Sequence, residues 1–475
     1  MAKPITTLSA AFLQKLHSIV GDAGLVQDEQ LKESFDIDWL KKWKGVSSAV
    51  VRPANTAEVA AVMWLCHETR TPVVTQGGNT GMSGGATPDD SGAQLILSTT
   101  RLRQIRDVDP LNNTMTVEAG VLLANVQAAA EEVNRYFPLS LGSEGSCTIG
   151  GNLATNAGGI AVLRYGNTRD LVLGVEVVLP TGKVWNGLRA LRKDNTGYSL
   201  RDLFIGSEGT LGVVTAAVLK LFPKPTARVS AWLGCDNMCD LLEVLARVRN
   251  NCGDRLVAFE MLTEESLQLV LEHVTDIRRP LDGTHRYHAL VELADTRDGE
   301  LGLLLESTLE KAMEDGLVQD AAIGSNLTQR QAFWKVREGI SQAQVRAGKA
   351  IKHDIALPIS SLPKFVDDAV EAVRKVKSDA RVINFGHMGD GNLHFNVLVP
   401  LDTPAAELDR LVQSMNRVVH DLVSEAGGSI SAEHGVGQLR REEMRHYKSE
   451  TEFGLMMLIK QSIDPNQIMN PGKLI

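Results

Sequence analysis

The chain has 475 residues, 43% of them apolar and 23% charged, with 42 glycines and a formal net charge of −9. That length exceeds what one hydrophobic core fills, so two or more structural units are expected. An acidic balance without clustered Lys and Arg excludes a general nucleic-acid surface, and no run approaches the roughly 18 apolar residues of a membrane span. Five scattered cysteines (Cys66, Cys147, Cys235, Cys239, Cys252) read as reduced thiols.

In chain order, a helix carrying Phe12, Leu16 and Ile19 comes first. No acidic residue precedes Asp22, but with only Lys3 and Lys15 basic and no arginine this is an ordinary helix and not a targeting sequence. The expected compartment is therefore cytoplasmic, with a mitochondrial matrix as the alternative in a eukaryote. Residues 48–52 predict a strand, 56–70 a helix capped by Thr56, and 72–75 a buried strand, which is a βαβ start. From Gln94 onward strands dominate, with hairpins at Asn112-Asn113 and Thr181-Gly182. The breaker-rich LFPKPTA stretch closes a first unit at residues 1–222. Residues 223–428 read as an antiparallel sheet, with strands at 228–233, 288–294, 350–357, 381–387 and 393–399, covered on one face by helices. A tail of 429–475 follows, and the fold class is α+β.

Glycines concentrate in three segments. PVVTQGGNTGMSGG places Gly77, Gly78, Gly81, Gly84 and Gly85 after a buried strand, where converging backbone N–H groups can cradle a pyrophosphate. Neither a G-x-G-x-x-G nor a P-loop pattern can be drawn through it. LGSEGSCTIGGNLATNAGG adds Gly142, Ser143, Ser146, Gly150, Asn152, Thr155, Asn156 and Gly159, a density of short polar side chains that suits a ribose, a phosphate and a heterocycle edge. IGSEGTLGVVT is the third, with Gly209 and Val214. Together they point to one large phosphate-bearing ligand.

The run INFGHMGDGNLHFNVLV predicts two strands about a Gly-Asp-Gly turn. Centred between Asp390 and Gly391, the hairpin puts His387 directly opposite His394, close enough to share a metal ion, with Asn396 on the same face. GGSISAEHGVG supplies Glu433 and His434, and a carboxylate added to two imidazoles makes the His₂Glu set of an open catalytic zinc site. FWKVREGISQAQ offers Arg337 and Ser341 one helical turn apart.

These glycine segments resemble the FAD-binding domain of the vanillyl-alcohol oxidase superfamily, and the second half resembles its FAD-linked oxidase C-terminal domain. The resemblance implies a two-subdomain FAD fold with a cap domain of antiparallel sheet covered by helices, the tail completing the active site. It implies FAD contacts from Gln76, Gly77, Gly78, Asn79, Thr80, Gly81, Gly142, Ser143, Ser146, Gly150, Asn152, Thr155, Asn156, Gly159, Gly209, Val214 and Asn470. Asn79 stands where several members carry a flavin-linking histidine, and no histidine lies between His67 and His273, so the FAD is expected to be non-covalent. The H-x-G-D-G-N-x-H and E-H-G-x-G patterns resemble those of the members that oxidise D-2-hydroxyglutarate and D-lactate. They imply His387, His394 and Glu433 as zinc ligands, Asn396 as a substrate contact and His434 as the general base beside the reacting hydroxyl. Arg337, Ser341 and Lys352 would hold the substrate acid, and two cations favour a dicarboxylate; D-malate and D-lactate are further candidates. An electron-transfer flavoprotein is the acceptor that the resemblance implies, and a homodimer is compatible with the chain. A glycolate oxidase flavin subunit and, from another class, a flavin-free zinc hydrolase are the competing readings.

Overall fold

A computed structural model describes residues 8–297 and 299–475. Lys3 lies outside them. They divide into two units: residues 8–159, Gly166–Lys224 and Glu433–Ile475 form one, Ile160–Tyr165 and the described residues of 225–432 the other.

In the first unit the strands Ser47–Val51 and Val73–Gln76 both run parallel to Gln94–Ser98, with Val50 and Val74 each opposite Ile96. The helix Thr56–Thr69 makes the crossover that parallel pairing requires. Its cap is Asn55, not Thr56. The Asn55 side chain accepts from Glu58 N at 2.9 Å and Glu58 returns a bond to Ala54 N, while the Thr56 hydroxyl donates to Glu176. A five-stranded antiparallel sheet follows, in the order Ile105–Asp109, Thr114–Glu118, Val213–Lys220, Val172–Val178, Val184–Gly187. The C-terminal segment belongs to this unit's core. Met469 bridges Val73 at the edge of the parallel sheet and is fully buried with Phe12, Leu16 and Leu95.

The second unit is built on one antiparallel sheet of eight strands. Its central members are Tyr287–Asp295, Leu256–Thr263, Arg381–Gly386 and Asn392–Val399. Helices cover both faces, where the order of strands and helices in the sequence pointed to one. Ala231, Met261 and Val291 pack under Met238–Cys252, Leu301–Glu314 and Leu362–Val376, whereas their chain neighbours Trp232, Leu262 and Leu290 pack under Glu264–His273 and Leu327–Ala347. A strand buried on both faces has no polar side to alternate with. The same fact explains why Leu256–Thr263, an apolar run interrupted by Glu260, is a strand the sequence pattern does not reveal. The expected strand 350–357 is two, Lys349–Ile351 and Asp354–Ala356, parted at Lys352 and His353.

Candidate functional site

In the first unit the three glycine segments line one cavity of about 140 Å³. Gln76, Gly77, Gly78, Asn79, Thr80 and Gly81 come from the first, Gly150, Asn152 and Thr155 from the second, Gly209 and Val214 from the third, and His434 from the C-terminal segment. Close approach is what the glycines permit. A Cβ on Gly78 would stand 2.1 Å from the Ser146 carbonyl oxygen, and one on Gly209, at φ +70°, 2.0 Å from Thr75 Oγ1. Among the described residues that line the cavity there is no Lys or Arg. Backbone N–H groups and short hydroxyls are therefore left to neutralise a phosphate-bearing ligand, which these walls fit.

Not every expected residue reaches that lining. Gly142, Ser143, Ser146, Asn156, Gly159 and Asn470 lie outside it. Ser143 closes a turn by accepting from Ser146 N and Cys147 N. Asn156, at φ +51°, ends the helix Ile149–Thr155 and accepts from Arg169 N. Asn470 donates to the carbonyls of Gly85 and Glu208, tying the first and third glycine segments together, and its Oδ1 is buried without a hydrogen-bond partner among the described residues. Asn79, also at positive φ, donates to the Ile37 carbonyl at 2.8 Å.

Glu208 lines the cavity too, and nothing in the spacing of GSEGTLG singles it out. Burial pushes its carboxyl pKa upward, against the opposing effect of two backbone N–H donors, Val436 and Gly437, each at 2.7 Å. His434 Nε2 lies 3.8 Å from Glu433 Oε1, and both side chains are partly buried.

In the second unit the His387–His394 hairpin has a different register from the one expected. Phe385, not His387, stands opposite His394, and Ile383 opposite Asn396. The strand ends at Gly386, a short 3₁₀ turn occupies Met388–Asp390, and Gly391 follows in the left-handed conformation at φ +85°. This longer turn puts His387 just past the strand end. Its ring still meets that of His394, with centroids 5.7 Å apart and planes at 76°.

The partners of the two imidazoles come from neighbouring strands. Glu260, 1% exposed, takes His387 Nδ1 on one oxygen at 2.6 Å and Arg337 on the other, through Nε and Nη2, each at 2.7 Å. Burial alone would raise the Glu260 pKa, but the charges of His387 and Arg337 outweigh it and hold the carboxyl at about 2. In its neutral form, with Nδ1–H donated to Glu260, His387 would present Nε2 as the atom able to bind a metal. Asp354, equally buried, lies 3.8 Å from His394 Nδ1. A divalent cation suits this donor chemistry: two imidazoles whose ring centroids lie 5.7 Å apart, each beside a buried carboxylate.

Arg337 is a different residue from the one its helical spacing suggests. It is 8% exposed, paired with Glu260 and stacked over Phe385 at 4.8 Å, while Ser341 one turn on is exposed. Asn396 is likewise engaged, donating to Gln344 Oε1 at 2.9 Å and accepting from His353 N at 3.2 Å. Lys352 retains an exposed surface, yet protein packed about its ammonium pulls its pKa down by desolvation. Glu260, Asp354 and Gln344 are the site residues that sequence reasoning missed. A lone carboxylate inside the apolar run LVAFEMLT is the signal that marks the first of them.

Residues 47–187 match the family model described as FAD binding domain, and residues 224–474 match FAD linked oxidases, C-terminal domain. Over 461 residues the chain is 39% identical to a protein of Oryza sativa subsp. indica described as a probable mitochondrial D-2-hydroxyglutarate dehydrogenase, covering 96% of this chain and 80% of that one. The mitochondrial D-2-hydroxyglutarate dehydrogenase of Bos taurus is 38% identical over 472 residues, 99% of this chain and 85% of its own. Among solved structures, p-cresol methylhydroxylase with substrate bound matches with a TM-score of 0.76 at 16% identity over 100% of this chain and 98% of that one, a likeness of fold alone. The fold is accordingly of the vanillyl-alcohol oxidase type, FAD is the cofactor, and the flavin-free hydrolase reading is set aside. Among the described residues no helix is long and apolar enough to cross a membrane. The chain belongs to the FAD-linked oxidases and, within them, to the D-2-hydroxyglutarate dehydrogenase family, as an FAD-dependent D-2-hydroxy acid dehydrogenase.

Proposed function

We propose that the chain oxidises D-2-hydroxyglutarate to 2-oxoglutarate, with a divalent cation, zinc by the chemistry of the donors, held by His387, His394 and Glu433. The observation that carries this reading is the pair of imidazoles 5.7 Å apart, one of them fixed by the buried Glu260, in a chain whose relatives are named for that substrate. Bound FAD supplies the acceptor for the C2 hydrogen and its electron pair, and a bound cation supplies positive charge that acidifies the substrate hydroxyl. His434 takes the hydroxyl proton. Asn396, Ser341 and Lys352 orient the acid, and Arg337 contributes positive charge already shared with Glu260.

That sharing favours a second reading. With Arg337 compensated, a distal carboxylate depends mainly on Lys352, so a monocarboxylate such as D-lactate is the competing substrate, with D-malate between the two. Steady-state turnover with an artificial dye and D-2-hydroxyglutarate, D-malate and D-lactate decides between them. The highest kcat/KM is expected for hydroxyglutarate, and a preference for lactate overturns the first reading. An electron-transfer flavoprotein as physiological acceptor is part of the same proposal.

A further inference from the structure

The residues after His434 are gripped from two sides by the walls of the flavin cavity. Ser83 Oγ, in the first glycine segment, donates to the carbonyls of His434 at 3.0 Å and Gly435 at 3.1 Å, and its own carbonyl accepts from Gln438 N at 2.8 Å. From the third segment, Glu208 spans two consecutive amides, Oε1 on Val436 N and Oε2 on Gly437 N, both at 2.7 Å. The fit is close: Gly437, at φ +50°, has no room for a Cβ, which would lie 2.2 Å from the Ser83 carbonyl oxygen. Glu208 itself is held at φ +50°, a conformation few glutamates adopt, by its carbonyl bond from Asn470. A carboxylate committed in this way to two backbone donors cannot also serve as a base, and its charge is well placed to be satisfied by those donors.

We propose that Glu208 is a positioning residue for His434, coupling the flavin-binding walls to the loop that carries the base. The inference rests on the proposed role of His434 for its catalytic consequence, but the clamp itself does not depend on that role. Because Ser83 and Glu208 belong to segments that line the cavity, flavin occupancy and the order of residues 434–438 are linked: ordering one orders the other.

The test is Glu208→Gln, which keeps shape and one acceptor oxygen while presenting an amide N–H₂ to a backbone N–H. Flavin reduction by D-2-hydroxyglutarate, followed in a single turnover and normalised to bound flavin, is expected to slow about 10–100-fold, the scale of a small misplacement of a reacting group. Substrate KM should stay within about threefold, because this residue does not contact the acid. Hydrogen exchange of the peptide containing Val436 and Gly437 should speed up in the same variant, and in the wild type when FAD is removed. Ser83→Ala should act in the same direction with a smaller effect, and the double variant should lose less than the product of the two. Unchanged reduction and exchange in Glu208→Gln overturn the proposal, as does a loss confined to flavin affinity with normal reduction of the flavin that remains. If the wild-type chain oxidises no D-2-hydroxy acid, the functional reading fails while the exchange experiment still decides the clamp.

Discussion

Replacing Glu260 by glutamine removes one negative charge and little volume from the second unit. Arg337, 8% exposed, is then left over the Phe385 ring without its counter-ion, and His387 Nδ1 loses a charged acceptor. Breaking a buried pair by removing one partner costs about 3–5 kcal/mol. The depression of the Glu260 pKa from its ordinary 4.5 to about 2 leads to a similar figure, roughly 3–4 kcal/mol, at about 1.4 kcal/mol per pH unit. For a unit of this size the loss corresponds to a fall in Tm of roughly 6–20 °C. Because the folded-state pKa lies below the unfolded one, the stabilisation is complete above about pH 4.5 and disappears as the pH falls towards 2. Scanning calorimetry at pH 7 and at pH 3 should therefore show a wide gap between wild type and Glu260→Gln at the higher pH and a narrower one at the lower. Zinc affinity, measured by competition with a chelator, should drop about 10–100-fold, the usual result of removing the partner of a ligating histidine. A variant melting within 2 °C of wild type at pH 7 would refute the reasoning.

Acid precipitation should release all the FAD, since Asn79 stands in the first loop and no histidine lies between His67 and His273; yellow colour retained in a washed pellet contradicts this. His434→Ala should lower turnover about 10²–10⁴-fold while the metal content stays near wild type, and zinc lost in proportion to activity would make His434 a ligand. Lys352→Ala should lower kcat/KM for D-2-hydroxyglutarate about 10–150-fold, the equivalent of one charged hydrogen bond, and affect D-lactate far less. An equal fall for both acids would remove Lys352 from the distal site.

What was legible in the sequence is what local chemistry controls. The three glycine segments, the βαβ start and the two histidines of the hairpin are all written in short runs, and their elements stand where those runs put them. Register was less secure. A Gly-Asp-Gly centre suggests a tight turn, but the 3₁₀ turn at Met388–Asp390 lengthens the connection and makes Phe385 the partner of His394. The Asn55 cap is hard to read from the sequence because Thr56, also a capping residue, sits beside it. Glu208 is beyond reach for a different reason, and so are the partners of Glu260. Each carboxylate is defined by partners 77 to 229 residues away, His387, Arg337 and Gly437 among them, and no local period encodes such pairs. The pairing of Arg337 with Glu260 also shows how an arginine at the expected helical spacing can be committed to a structural partner.

The central claim, that this chain passes the C2 hydrogen of a D-2-hydroxy acid to bound FAD, is tested most directly by the visible spectrum of the purified protein under anaerobic conditions. Addition of D-2-hydroxyglutarate should bleach the visible absorbance of the flavin within the time of mixing or a few turnovers, and the L enantiomer should leave it unchanged. A colourless protein, or a flavin that D-2-hydroxyglutarate, D-malate and D-lactate all fail to reduce, would contradict the account.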